Sequence, residues 1–226
     1  MNAASIAGWA VALAVLGAAI LAAPAGGRPW ARRAAALSVL YLIALLLAGI
    51  LLPAPWLPWA SAVASTAVLL TSQPFIALGV LSRADVGLRA PHPGSARAAV
   101  IATGLALGFN AFVMLLRGAV PAGVPPGLIG AVLLAAVLEE LAFRGVLLAL
   151  LDRALPPRWN VLGARIGWGG VALTAAFVAL HGLREGMLVG IVPAALLYLW
   201  LRARTGSLLA PIVAHLAWNL SVVLVN

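Results

Sequence analysis

Two adjacent glutamates lie in the middle of an apolar stretch and are the residues best suited to chemistry. Glu139 and Glu140 are followed by Arg144, and the run from Leu128 to Leu151 has no other charged side chain. An ionisable residue at bilayer depth costs at least a few kcal/mol, so three together indicate a functional site. We therefore expect the main reaction of this protein to occur there.

The spacing of these three residues divides their roles. Residues four apart share one face of a helix, so Glu140 and Arg144 are predicted to form an ion pair. Glu139 projects about 100° away from that pair. The pattern indicates that Glu140 is neutralised structurally, whereas Glu139 stays available as a general base acting on water or substrate.

Two histidines and an amide add to this set from other apolar stretches. His181 lies four residues after Phe177, and His215 lies four residues before Asn219, so each pair shares a helix face. The remaining histidine, His92, is in an Arg-rich loop and is expected to be solvated. The sequence thus offers an acid, two imidazoles and an amide on three separate helices.

These side chains are predicted to lie at one depth. We count residues from the predicted cytoplasmic end of each span and convert them to depth with the helical rise per residue. Glu139, His181 and Asn219 are then all about 18–20 Å deep. His215 is one turn nearer the cytoplasm. Phe177 is a candidate substrate-binding residue, although the simpler interpretation is that it packs beside the site.

The elements that must position these residues are transmembrane helices. The chain is 65% hydrophobic and 8% charged, whereas soluble domains are about a quarter charged. We predict an all-α, polytopic membrane bundle of about eight transmembrane helices, because one span takes about 20 residues. The spans are predicted at 4–24, 34–53, 58–82, 98–116, 128–151, 168–183, 187–203 and 207–225. Residues 1–97 are predicted to hold the first helices and an Arg-rich cytoplasmic loop, and residues 98–226 the catalytic core.

Loop charge predicts the orientation. The even connections carry only Arg117 and Arg184, whereas the odd connections carry eleven arginines: Arg28, Arg32, Arg33, Arg83, Arg89, Arg97, Arg153, Arg158, Arg165, Arg202 and Arg204. By the positive-inside rule the odd loops are cytoplasmic, and both termini are then outside. Because Met1 to Ser5 has no basic side chain, the first span is predicted to be a membrane helix and not a signal peptide.

Composition also excludes some functions. The arginines are scattered through loops without a basic stripe or interleaved aromatic residues, so no nucleic-acid partner is expected. The absence of cysteine excludes disulfides, a thiol nucleophile and thiolate metal ligands. A transporter in which the two glutamates relay protons would need inverted repeats with paired broken helices, and the sequence shows none.

Three motifs resemble those of the CPBP intramembrane proteases, a family that includes the CAAX prenyl endopeptidases and the bacterial Abi proteins. They are EELAFR at 139–144, FVALH at 177–181 and HLAWN at 215–219. The resemblance covers roughly residues 128 to 225 in the order of the family, and DVGLR at 85–89 resembles a segment often found upstream. Each motif alone is weak, but together at this spacing they are specific.

The resemblance implies a proteolytic fold of about eight helices in which Glu139 activates water with His181 as its partner. It also implies that His215 and Asn219 stabilise the oxyanion. Expected partners are the lipid bilayer and a membrane-anchored or lipidated protein or peptide substrate. The lack of lysine and the abundance of Ala, Leu and Arg indicate a bacterial inner (cell) membrane protein from a high-GC source.

Two alternatives stay open from the residues. A zinc ion at Glu139, His181 and His215 would leave an open coordination position, but no His-Glu-x-x-His pair is present. We therefore expect a metal-free glutamate mechanism without a required cofactor. The other alternative is a non-catalytic membrane scaffold or bacteriocin self-immunity protein, in which the motifs serve folding alone. The uses that compete within the family are prenyl processing, removal of C-terminal sorting anchors and immunity.

Overall fold

The computed structural model describes residues 3–116, 118, 126–181 and 185–223. Arg117 and Arg184, the two arginines assigned to the even connections, lie outside the described residues. The described part is an all-α bundle of apolar helices, which confirms the predicted fold class. The predicted orientation of the helices stays a prediction.

All eight predicted spans fall on helical segments. The helices are α1 (Ala3–Ala22), α2 (Arg28–Leu51), α3 (Ala60–Ala77), α4 (Ala96–Leu116), α5 (Pro126–Glu139), α6 (Leu148–Ala154), α7 (Trp168–Leu180), α8 (Glu185–Thr205) and α9 (Leu209–Val223). A 3-10 turn (Ala54–Trp59) precedes α3, and a π-helical segment (Glu140–Leu147) joins α5 to α6 in one continuous helical run. By length and composition, four helical stretches of the described chain could cross a membrane: Arg28–Leu51, Trp56–Ala77, Ala96–Leu116 and Leu188–Thr205.

A short β-hairpin is the main departure from the predicted all-helical pattern. Strands β1 (Trp159–Val161) and β2 (Ala164–Ile166) pair antiparallel, with Asn160 opposite Arg165. The two turn residues, Leu162 and Gly163, both have positive φ, as a tight two-residue hairpin requires. Strands of three residues are too short to show the alternation that predicts a strand.

The larger hydrophobic core lies where α1, α2 and α7 surround the π-helical segment and α6. Tyr41, Phe143 and Phe177 form a row of edge-to-face aromatic contacts with ring centroids 5.0 and 5.2 Å apart. A second cluster joins α4, α8 and α9 around Tyr198 and Trp218. The division into residues 1–97 and 98–226 stays a prediction, and the larger core draws side chains from both parts.

Candidate active site

The two glutamates mark the point where the helical geometry changes. The α-helix α5 ends at Glu139, and the π-helical segment begins at Glu140. At its far end the backbone N–H of Leu148 bonds to the carbonyl of Phe143, five residues earlier. Wider π-helical turns are rare and occur frequently at functional sites. The change in helix type therefore falls between the two adjacent acids.

Glu140 is completely buried and holds two partners through one oxygen. Its Oε1 accepts hydrogen bonds from Nη1 of Arg144 at 3.0 Å and from Nδ1 of His215 at 2.9 Å. The first bond is the ion pair that the four-residue spacing predicts. The second joins the π-helical segment to α9. Glu140 is thus a link between two helices, and burial makes that link costly to break.

Arg144 is buried beside two aromatic faces. Its guanidinium carbon lies 4.0 Å from the ring centre of Phe177 and 5.4 Å from that of Tyr198. A cation over an aromatic face is stabilised by the ring quadrupole, by about 2 kcal/mol or more when desolvated. One carboxylate and two rings therefore compensate for the removal of this charge from water.

His215 has a fixed ring orientation. Its imidazole stacks on Tyr198 with centroids 4.6 Å apart and an interplanar angle of 21°. Because Nδ1 donates a hydrogen bond to the Glu140 carboxylate, Nε2 is the ring nitrogen left for other partners. Glu140 also supplies a counter-charge when both ring nitrogens carry a proton.

His181 is fixed in a similar way but by backbone. The helix α7 ends at Leu180, and Nδ1 of His181 lies 2.8 Å from the carbonyl oxygen of Phe177. A carbonyl oxygen only accepts, so Nδ1 carries the proton and Nε2 of the neutral ring has a free lone pair. The ring also packs on Phe177, with centroids 4.4 Å apart.

A cavity of about 750 Å³ brings four of the predicted residues together. Glu139, His181, His215 and Asn219 all line it, among residues of α3, α4, α5, α8 and α9. Glu139 is only 5% exposed, so its carboxylate meets the solvent mainly through this cavity. This volume is typical of ligand and substrate sites.

The other three predicted residues lie in the protein interior and do not line that cavity. Glu140 and Arg144 form the buried ion pair, and Phe177 is 1% exposed between Arg144, Phe143 and His181. In this position Phe177 contacts site residues and not the cavity space. The adjacent acids therefore face different surroundings, as the 100° separation predicts.

Several cavity residues were not predicted from the sequence. Tyr198 stacks on His215, and Asn110 donates from Nδ2 to the hydroxyl of Ser221 at 2.8 Å. Both Tyr198 and Asn110 line the cavity, as does Trp218. An amide inside the apolar run 98–116 is itself a signal. Tyr198 carried no such signal, because a tyrosine inside a span is equally a packing residue.

The zinc alternative needs Glu139, His181 and His215 to converge on one point. Across residues 3–116, 126–181 and 185–223, no group of three or more His, Asp or Glu side chains is arranged to hold a metal ion. The residues as placed therefore do not fit a zinc site, and no step below uses one.

A helical membrane bundle with a buried acid and two oriented imidazoles around one cavity has the features of a membrane-embedded hydrolase. Comparison with protein families supports this class: residues 121–221 match the family described as type II CAAX prenyl endopeptidase Rce1-like. Comparisons with curated proteins and with solved structures found no match.

The matched segment is somewhat less than half of the chain and contains the six polar residues that the sequence predicted for the site. The resemblance that the three motifs indicated is therefore confirmed. At the level of the family, the match supports a CAAX-type intramembrane endopeptidase with a membrane-associated substrate.

Proposed function

We propose that this protein hydrolyses a peptide bond in a membrane-tethered or lipidated protein or peptide, with water activated by Glu139. The observation that carries the proposal is the contrast between the two adjacent acids. Glu140 is bound by Arg144 and His215 in the interior, whereas Glu139 lines a cavity shared with His181, His215 and Asn219. One acid organises the site and the other is available for chemistry.

Glu139 acts as the general base in this mechanism. Its carboxylate takes a proton from a water molecule, and the resulting hydroxide attacks the carbonyl carbon of the scissile peptide bond. His181 assists through Nε2, whose lone pair accepts a hydrogen bond from the same water. Glu139 then gives its proton to the leaving amine as the carbon–nitrogen bond breaks, which returns the carboxylate to its starting state.

His215 and Asn219 stabilise the negative charge that develops on the carbonyl oxygen. They lie one helical turn apart on α9, and both line the cavity. Nδ2 of Asn219 donates directly, and Nε2 of His215 donates when the ring is doubly protonated, with Glu140 as counter-charge. Donors aimed at a developing oxyanion lower the barrier because they need no reorganisation during the reaction.

Substrate access follows from the position of the cavity. Its walls come from helices of the bundle, so a substrate enters from the lipid or from the membrane surface. A peptide held at the membrane by a lipid or by an apolar anchor is already concentrated there. We therefore propose a membrane-tethered substrate, with the lipid bilayer as a further partner and no required cofactor.

The experiment is cleavage by the purified protein in lipid vesicles, with prenylated C-terminal peptides and peptides carrying a C-terminal apolar anchor. We expect Glu139→Gln to lower the turnover rate by about 10²–10⁴-fold, the usual contribution of a general base. Ser61→Ala is the matched control, because Ser61 lines the same cavity but has no assigned role. We expect this control to cleave at nearly the wild-type rate, with or without a chelator.

Other outcomes decide between the alternatives. Unchanged cleavage by Glu139→Gln would remove Glu139 as the base. Activity lost with chelator and restored by zinc would replace the metal-free mechanism. If Glu139→Gln supports the cells that need this protein as well as the wild type does, the scaffold or self-immunity function is favoured instead.

We also propose a bacterial inner-membrane location, with the odd connections in the cytoplasm and both termini outside. The chain has no cysteine, so single cysteines can be introduced for labelling. Ala96→Cys reports on the third connection and Trp56→Cys on the second, and both positions are exposed. A membrane-impermeant maleimide should label Trp56→Cys in intact cells but Ala96→Cys only after permeabilisation, and the reverse pattern would invert the orientation.

A further inference from the structure

A second polar cavity lies at the ends of the helices, where three odd connections meet. It measures about 450 Å³ and shares no lining residue with the catalytic cavity. Its charged lining residues are Arg89, Arg165, Arg202 and Arg204, with one acid, Asp152; His92 also lines it. Four guanidinium groups and one carboxylate give this basic cavity a clear excess of positive charge.

The single acid does little to offset this charge. Asp152 lies just past the predicted span 128–151, and burial raises the pKa of its carboxyl to about 7, although nearby Arg202 lowers it. Near neutral pH the carboxylate is therefore only partly ionised. Clustered like charges in a partly buried site repel each other, and an anion bound among them would remove that repulsion.

The arginines at the centre of the basic cavity are held in place by backbone atoms. Arg202 donates from Nε to the carbonyl of Arg144 at 3.1 Å and from Nη2 to that of Asp85 at 2.7 Å. These bonds use two of the five N–H groups of a guanidinium. Within the described chain, Nε of Arg204 is buried without a hydrogen-bond partner. The basic cavity thus has oriented donors with unused capacity.

An apolar groove begins beside the basic cavity. It measures about 790 Å³ and is lined by residues of α4, the hairpin, α7 and α8. Ile166 and Leu199 line both spaces, so the two adjoin at these side chains. Trp159 and Trp200 also line the groove, and tryptophan is enriched at the membrane–water interface of membrane proteins.

We propose that these two adjoining spaces bind one anionic phospholipid, with its phosphate among the arginines of the basic cavity and an acyl chain along the apolar groove. Arginine matches phosphate geometry with paired hydrogen bonds. Basic pockets between helices on the cytoplasmic side are suited to anionic headgroups. A free anion would use only the basic cavity, whereas a lipid uses both spaces. This inference is independent of the proposed protease activity.

The test is binding of defined lipids to the full-length protein in a neutral detergent, measured by native mass spectrometry and by the shift in thermal unfolding. The probes are phosphatidylglycerol, phosphatidylcholine with the same acyl chains, and inorganic phosphate. We expect phosphatidylglycerol to bind at least about tenfold more tightly than the other two, because the arginines repel the choline cation of phosphatidylcholine and inorganic phosphate has no acyl chain to occupy the groove. No cleavage assay is needed.

Variants locate the site. Arg89→Gln and Arg204→Gln should each weaken phosphatidylglycerol binding by about tenfold. Arg97→Gln is the matched control, because Arg97 is an exposed arginine near the same connection but does not line the cavity. Equal binding of both phospholipids, or an equal loss with Arg97→Gln, would overturn the proposal. Inorganic phosphate that binds as tightly as the lipid would overturn the role of the groove.

Discussion

His215 and Glu140 are 75 residues apart in the chain, yet Nδ1 of His215 lies 2.9 Å from Oε1 of Glu140 in the protein interior. The same oxygen receives a hydrogen bond from Arg144. This contact fixes the imidazole on α9 relative to the π-helical segment. It therefore orients one cavity residue through an acid that does not itself line the cavity.

Glu140→Gln should destabilise the protein, whereas Glu139→Gln should not. Removing the carboxylate leaves Arg144 buried without its counter-charge, which costs about 3–5 kcal/mol. Glu139 lines the cavity, and we expect its replacement to change the free energy of unfolding by less than about 1 kcal/mol. The measurement is reversible unfolding in mixed micelles.

A double variant serves as the control for this ion pair. Glu140→Gln combined with Arg144→Met removes both charges, and we expect it to recover much of the stability that Glu140→Gln loses. If Glu140→Gln were as stable as the wild type, the buried pair would not be the structural link that the geometry indicates.

Phe177→Leu should destabilise the protein by about 1–3 kcal/mol, although the side chain stays apolar. The ring of Phe177 faces the guanidinium of Arg144 and packs on His181, and leucine offers no π face to either. Phe109→Leu is the matched control, because Phe109 is exposed on α4. Thermal unfolding of both variants compares them, and equal melting temperatures would mean that the ring contacts contribute little.

Gly87→Ala should destabilise the protein more than Gly94→Ala. Both glycines have positive φ, of 76° and 75°, so alanine is strained at either position by about 1–2 kcal/mol. Only at Gly87 would the added Cβ meet the guanidinium of Arg202, whose Nε would be 2.7 Å away. Displacing Arg202 should cost a further 1–3 kcal/mol, on the order of its two backbone hydrogen bonds.

The measurement is the free energy of unfolding of both glycine variants in denaturant. Because both carry the same backbone strain, the difference between them reports the cost of displacing Arg202. Nothing lies within 4 Å of a Cβ added at Gly94. Equal losses at the two positions would show that Arg202 moves aside without cost.

Asp152→Asn should remove part of the pH dependence of stability. Burial raises the pKa of the Asp152 carboxyl to about 7 in the folded protein, against an ordinary value of 3.8. The folded state therefore binds more protons than the unfolded state between these values, and this contribution to stability falls as pH rises from about 4 to 7. Above pH 7 the loss is complete and constant.

The free energy of unfolding should therefore differ less between pH 5 and pH 8 for Asp152→Asn than for the wild type. At pH 8 the variant should be the more stable of the two. His92 and the arginines of the basic cavity are the same in both proteins, so the comparison isolates the contribution of Asp152. An unchanged pH difference would mean that Asp152 is ionised in the folded state as it is in solution.

Local features of the site were accessible from the sequence. Hydropathy predicted the helical segments because apolar runs of about 20 residues are set by bilayer thickness. The pairs Glu140–Arg144 and Phe177–His181 follow from the helical repeat, and the structure contains a hydrogen bond within each. The π-helical segment was not predicted, because the side chains of Glu140–Leu147 also suit an ordinary α-helix.

The sequence by itself determined which helices form, which polar residues lie inside them and which neighbours share a face, since these depend on residues only a few positions apart. Only the tertiary structure decided that Glu140 holds His215, that Tyr198 stacks on that histidine and that three Arg-bearing connections surround one basic cavity. These relationships depend on how the helices pack and rotate against each other. Apolar helix faces allow many such packings, so composition and spacing alone do not select one.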